Sequence, residues 1–126
     1  MAKNKARKKV LIIEDEDNIA KAEGLILEHE FEVFYAKDGE EGFDMAKRIK
    51  PKLIVLDLML PKRGGYDLCF NLRQDPELRD IKVLMVTALT QEIDHKKGRM
   101  VGADHYLTKP FEPEELFGLA MKLANE

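Results

Sequence analysis

Apolar residues in this chain fall into two kinds of stretch. In one kind they run unbroken for four positions, as in Val10 to Ile13, Leu53 to Leu56 and Val83 to Val86. Runs this short and rich in β-branched residues predict strands buried on both faces. Phe31 to Ala36 predicts a further strand, and His105 to Thr108 a short last one. In the other kind, apolar residues recur every three or four positions, which predicts helices. Ile19, Ala22 and Ile26 mark the first helix, with Asp17 placed to cap it. Asp38-Gly39 opens a second helix carrying Phe43, Ala46 and Ile49 on one face, and Pro51 forces an exit. Tyr66 to Arg73 predicts a third helix ended by Asp75-Pro76, and Gln91 to Val101 a polar fourth one weakened by Gly98. The last helix has Pro113 in its first turn among Glu112, Glu114 and Glu115, then presents Leu116, Leu119, Ala120 and Leu123. Five apolar strands alternating with five helices require an α/β architecture, a doubly wound parallel sheet covered on both faces.

Composition narrows the class. With 126 residues, 44% of them hydrophobic and 36% charged, one globular domain is expected over residues 10–125. No apolar run approaches the roughly 18 residues that cross a bilayer, and MAKNKARKK lacks the apolar core of a signal peptide, so no membrane association and a cytoplasmic location are expected. The single cysteine, Cys69, has no partner for an internal disulfide and is expected to behave as a small hydrophobe. His29, His95 and His105 stand without acidic or cysteine partners at metal-ligand spacing, which argues against a zinc site. Five of the 21 basic residues lie in positions 1–9, leaving 16 against 24 acids, a net of −8, for the remainder. An acidic body argues against direct nucleic-acid binding, and residues 1–9 are expected to form a solvated basic extension.

The candidate chemistry lies where the strands end. The first strand leaves Glu14 and Asp15 at its carboxyl end, the third Asp57, the fourth Thr87 and the fifth Lys109. In a parallel sheet these ends share one edge, where the chain reverses and leaves a crevice. Clustered carboxylates raise one another's pKa unless a cation neutralises them. Hard oxygen ligands of this kind suit Mg²⁺, with Mn²⁺ able to substitute. A lysine and a threonine beside them are donors for phosphoryl oxygens, and an Asp can itself act as nucleophile.

This set of residues resembles the response-regulator receiver domain of two-component signalling, over about residues 9–124. The resemblance implies a flavodoxin-like strand order of 2-1-3-4-5. It implies a phosphoacceptor module rather than an enzyme, in which Asp57 takes a phosphoryl group from the phosphohistidine of a histidine kinase or phosphotransfer protein. Asp15, Asp57 and the backbone carbonyl of Met59 would ligate Mg²⁺, with Glu14 acting mainly through a metal-bound water. Lys109 and Thr87 would each engage a phosphoryl oxygen, and Tyr106 matches the aromatic switch position that relays the change to the face built from the fourth helix, fifth strand and fifth helix. The Lys109-Pro110 peptide is cis in relatives. Downstream, the resemblance implies a protein target or an output domain.

Two departures bear on partners. The stretch ADHYLTKPF resembles the branch whose receivers form homodimers through that same face, but His105 stands where a second Asp is usual and Leu119 where an Arg is usual. Interface charges fix register, so these replacements argue against a homodimer of that type, and a stand-alone receiver, or one excised from a longer regulator, is expected. Met59 and Leu89, each two residues beyond a site residue, are bulky where water would approach, which predicts a long-lived acyl phosphate. A haloacid-dehalogenase-type phosphatase would need a general acid at the position of Met59. A flavodoxin would find its flavin phosphate repelled by Glu14 to Asp17.

Overall fold

The computed structural model describes residues 7–88 and 92–126, apart from the side chain of residue 93. The elements alternate in the predicted order: β1 (Lys8–Ile13), α1 (Asp17–Leu27), β2 (Phe31–Ala36), α2 (Gly39–Ile49), β3 (Leu53–Asp57), α3 (Gly65–Gln74), β4 (Lys82–Thr87), α4 (Glu92–Met100), β5 (His105–Thr108) and α5 (Pro113–Ala124). All pairings are parallel, in the order β2-β1-β3-β4-β5. The α/β fold and its 2-1-3-4-5 order are as expected.

The period of two along each strand divides the core. Val10, Ile12, Leu53, Val55, Leu84 and Val86 face α1 and α5 on one side. Leu11, Ile13, Ile54, Leu56, Val83 and Met85 face the helices of the other side. Side chains buried on both faces explain why these strands read as unbroken apolar runs. All five residues of β3 are buried, its terminal Asp57 included.

Three local expectations are corrected. β1 starts at Lys8, because the backbones of Lys8 and Lys9 continue the ladder opposite Phe31 and Glu32 while their side chains remain exposed. The Lys8 ammonium donates to the Ala124 carbonyl at 3.0 Å and to Asn125 Oδ1 at 2.6 Å, so positions 8 and 9 belong to the domain and not to a solvated extension. Residues 1–6 of that extension, Leu89 and the expected helix start at Gln91 lie outside the described residues. The N-cap of α1 is Glu16, which forms no side-chain cap, and Asp17 is the first helical residue, where its charge still complements the dipole. The face α1 buries is Ala20, Glu23, Gly24 and Leu27, whereas Ile19 and Ile26 are half-buried and Ala22 is exposed. On this face Gly24 lies against the tip of the exposed Tyr35 side chain, which a Cβ there would displace.

The turn after β3 is packed backbone on backbone. A Cβ on Gly65 would lie 2.7 Å from the Leu58 Cα and 2.9 Å from the Asp57 carbonyl oxygen, so only glycine fits. The turn reaches this position through Lys62 and Arg63, both left-handed at φ 50° and 60°, a conformation L-residues seldom adopt. Arg63 is anchored to α2 by Glu40 at 3.6 Å and by the Phe43 ring, 4.7 Å from its guanidinium carbon.

Candidate functional site

The carboxyl edge of the sheet gathers the residues expected there. Ile13 of β1 is in register with Leu56 of β3, Asp57 with Val86 of β4, and Thr87 with Thr108 of β5, so the chain leaves each strand at nearly the same height. Glu14 begins its turn bonded to β2 through its amide and the Ala36 carbonyl at 3.0 Å. One oxygen each from Glu14, Asp15 and Asp57 lie within 4.8 Å of one another. Glu14 is 3% exposed and Asp57 is buried, whereas Asp15 faces solvent.

Lys109 stands over this cluster. Its ammonium is 3.2 Å from Glu14 Oε1 and 3.7 Å from Asp57 Oδ2. Its backbone is held by its amide donating to the Thr87 carbonyl at 2.7 Å, and the Lys109-Pro110 peptide is cis. Thr87 is buried at the end of β4. Met59 contributes its amide, which donates to Asp57 Oδ1 at 3.2 Å, while its side chain is 67% exposed. A second amide, that of Glu16, donates to Glu14 Oε2 at 3.3 Å.

The electrostatics follow from crowding. Burial, then the charge of Asp57, pushes the Glu14 carboxyl up to about 7. Burial opposes the Lys109 ammonium, but Asp57 and then Glu14 outweigh it and hold its pKa above the usual lysine value. One ammonium thus faces three carboxylates, an excess of negative charge on hard oxygen donors. That donor set fits a small divalent cation, which would neutralise the excess without soft ligands.

A family model, "Response regulator receiver domain", matches residues 10–120. The chain belongs to the response regulator receiver family. The alkaline phosphatase synthesis transcriptional regulatory protein PhoP of Bacillus subtilis is 44% identical over 110 residues, covering 86% of this chain and 45% of the relative. The DNA-binding dual master transcriptional regulator RpaA of Synechocystis is 46% identical over 109 residues, with the same coverage of 86% and 45%. The chain therefore spans less than half the length of these relatives. Among solved structures, a response regulator of Chloroflexus aurantiacus superposes with a TM-score of 0.91 at 33% identity, covering 95% of this chain and 99% of that one. The chemotaxis protein CheY4 of Vibrio cholerae gives 0.88 at 28% identity, covering 94% and 99%.

Tyr106 of β5, expected at the aromatic switch position, is half-buried. Its ring stacks on His95 of α4 with centroids 3.9 Å apart and planes 28° apart. Its hydroxyl is buried with no hydrogen-bond partner among the described residues. His95 thus serves as a packing surface, and its Nε2 lies 3.4 Å from Thr108 Oγ1. His29 and His105 are exposed, and Cys69 is buried with its thiol pushed up to about 11 by that burial. Pro-rich turns and strand ends were legible in the sequence, but two polar residues near the site were not. Glu23 is buried on the inner face of α1, and Tyr66 reaches from α3 to α4. The only sequence trace of Glu23 is its place one turn from Ala20 and Leu27, a stripe visible only once the helix is known to turn that way. No helix among the described residues is long and apolar enough to cross a membrane.

Proposed function

We propose that Asp57 is the phosphoacceptor of a two-component or phosphorelay pathway. A carboxylate oxygen of Asp57 forms a bond to phosphorus as the phosphorus–nitrogen bond of a kinase or phosphotransfer-protein phosphohistidine breaks. The bonding pair leaves with the imidazole, and an acyl phosphate remains on the receiver. The observation that carries this reading is the ammonium of Lys109, 3.2 Å from Glu14 and 3.7 Å from Asp57, a point charge within reach of oxygens added at Asp57. Glu14, Asp15, Asp57 and the Met59 carbonyl would hold Mg²⁺ or Mn²⁺, which when bound neutralises the carboxylates and draws charge from phosphoryl oxygens. Thr87, buried at the strand end beside this edge, supplies a hydroxyl to the added group.

The new charge then becomes a change of surface. Drawing Thr87 toward the phosphoryl group alters the space beside Tyr106, and the α4-β5-α5 face is remodelled for a downstream protein or output domain. That face includes a cavity of about 480 Å³ lined by His105, Tyr106, Thr108, Glu115 and Leu119. The protein acts in the cytoplasm as a regulator and not as a multiple-turnover phosphatase, since Met59 stands where such an enzyme needs its general acid.

Intact-mass measurement after incubation with acetyl phosphate and Mg²⁺ tests the reading. The parent is expected to gain one base-labile phosphoryl adduct and Asp57→Ala none; an adduct of equal yield on both would refute the assignment. The exposed Met59 side chain shields the acyl phosphate from water. Met59→Asn is therefore expected to speed its loss about tenfold, the effect of ~1.4 kcal/mol in the barrier. Decay at the parental rate would rule out this shielding.

A further inference from the structure

Tyr66 connects two elements that the route through Thr87 and Tyr106 leaves unconnected. It is the second residue of α3, and Gly65 before it is fixed against the phosphoacceptor turn. The Gly65 amide donates to the Leu58 carbonyl at 3.0 Å, and the glycine backbone lies directly on Leu58 and the Asp57 carbonyl. From that anchored point the side chain of Tyr66 crosses to α4. Its hydroxyl donates to the Asp94 main-chain carbonyl at 3.0 Å. The Lys97 ammonium stands 4.7 Å from the centroid of its ring. Asp94 and Lys97 are three residues apart on the helix, so both contacts fall on one face of α4.

The same helix is gripped from its other neighbour. His95 stacks on Tyr106, and Gly98 lets that ring approach closely, since a Cβ there would lie 3.0 Å from Tyr106 Cδ2. Among the described residues the buried Tyr106 hydroxyl makes no hydrogen bond of good geometry, and the Tyr66 hydroxyl interacts with it. α4 is therefore held by one tyrosine from α3 and by another from β5.

We propose that Tyr66 is a latch that ties α4 to the turn following Asp57 and holds the helix in the position seen here, so that movement of that turn reaches α4 directly and in parallel with Thr87 and Tyr106. This deepens the phosphoacceptor reading and rests on it only for what moves the turn. The latch itself is a property of the unphosphorylated fold.

Phenylalanine at position 66 keeps the ring and its packing and removes the hydroxyl. Losing one intramolecular hydrogen bond is expected to speed amide exchange in α4 about three- to tenfold. Hydrogen exchange followed by mass spectrometry over residues 92–101 of the full chain measures this, with parent, Tyr66→Phe and Thr87→Ala compared before and after treatment with acetyl phosphate and Mg²⁺. Tyr66→Phe is expected to exchange faster in α4 alone when unphosphorylated, to accept the phosphoryl group in parental yield, and to show a smaller phosphorylation-dependent change in α4. Thr87→Ala is expected to lose part of the phosphorylation-dependent change in α4. Parental exchange of α4 in Tyr66→Phe would overturn the latch, as would acceleration spread evenly over the whole chain. Should the parent take up no phosphoryl group, the phosphoacceptor reading falls, while the comparison of untreated proteins still decides the latch.

Discussion

At pH 8 to 9, Glu23→Gln is expected to resist urea better than the parent by an amount on the order of 4 kcal/mol, whereas at pH 5 the two should unfold nearly together. Glu23 is 3% exposed on the inner face of α1, and its Oε2 is buried without a hydrogen-bond partner among the described residues. Burial, then the charge of Glu14, pushes its carboxyl up to about 8, with Asp57 adding to this and Lys109 opposing it. A folded pKa above the unfolded one means that the fold prefers the protonated acid. The associated stability is fully present below the unfolded value of 4.5 and is lost as pH rises to about 8, beyond which the loss is complete. A shift of that size is worth roughly 4 to 5 kcal/mol at 1.36 kcal/mol per pH unit, a large share of the stability of any single domain. The amide of Gln has nearly the same shape and does not ionise, so it removes the pH-dependent loss; the cost of burying its N–H groups is the same at every pH, and the change in the difference between pH 5 and 9 is the readout. Glu14, with its carboxyl raised to about 7, contributes a loss of the same sign in both proteins. Because the Glu14 charge is one cause of the Glu23 shift, the difference between the two stability curves reports Glu23 together with its coupling to Glu14. Curves that run parallel from pH 5 to 9 would show that Glu23 ionises without cost, through rearrangement or water.

The strand ends were legible in the sequence because a buried parallel strand has a plain signature, an unbroken apolar run, and because its exit is where polar residues must begin. Glu14, Asp15, Asp57, Thr87 and Lys109 all stand one or two positions beyond, or at the end of, such a run. Nothing in the run itself shows which way an adjoining helix turns. The first helix has apolar residues on two adjoining stripes, Ile19-Ala22-Ile26 and Ala20-Gly24-Leu27, and periodicity alone does not choose between them. The choice is tertiary: it is the second stripe that packs against the sheet, and it carries Glu23 inward with it. The Tyr66 contact escaped for a similar reason. Its partner is a main-chain carbonyl 28 positions away, a group every residue possesses and no pattern marks.

Arg73→Ala is expected to cost about 3 kcal/mol of stability while leaving phosphorylation of Asp57 intact. Arg73 sits in the last turn of α3 and spends its whole guanidinium on the far end of the sheet from the site. Nε and Nη2 donate to the Gly102 carbonyl at 2.9 and 2.6 Å, and Nη1 to the carbonyls of Arg79 and Ile81 at 2.9 and 2.7 Å. Nη2 also meets Asp104 Oδ2 at 2.8 Å, and that same carboxylate oxygen accepts the Val83 amide at 2.8 Å. The side chain thus joins α3, the strand entering β4 and the turn entering β5. Gly102 is required for it, with φ at 106° and a would-be Cβ only 2.7 Å from Arg73 Cγ. Truncation leaves three carbonyls and a partly shielded carboxylate without these donors, the kind of loss that costs more than one surface hydrogen bond. Lysine restores the charge but not the planar fork, so Arg73→Lys should recover less than half of the loss. Urea unfolding of the three proteins at pH 7 measures both effects; a cost under about 1 kcal/mol for the alanine variant would mean that water replaces the guanidinium at no penalty. Phosphorylation should survive because the register that places Lys109 is fixed at the opposite end of β5, where its amide donates to the Thr87 carbonyl at 2.7 Å. The clasp thus secures the strand that carries Tyr106 and leads into Lys109 without entering the chemistry, so stability and phosphoacceptor yield should separate cleanly in the same variant.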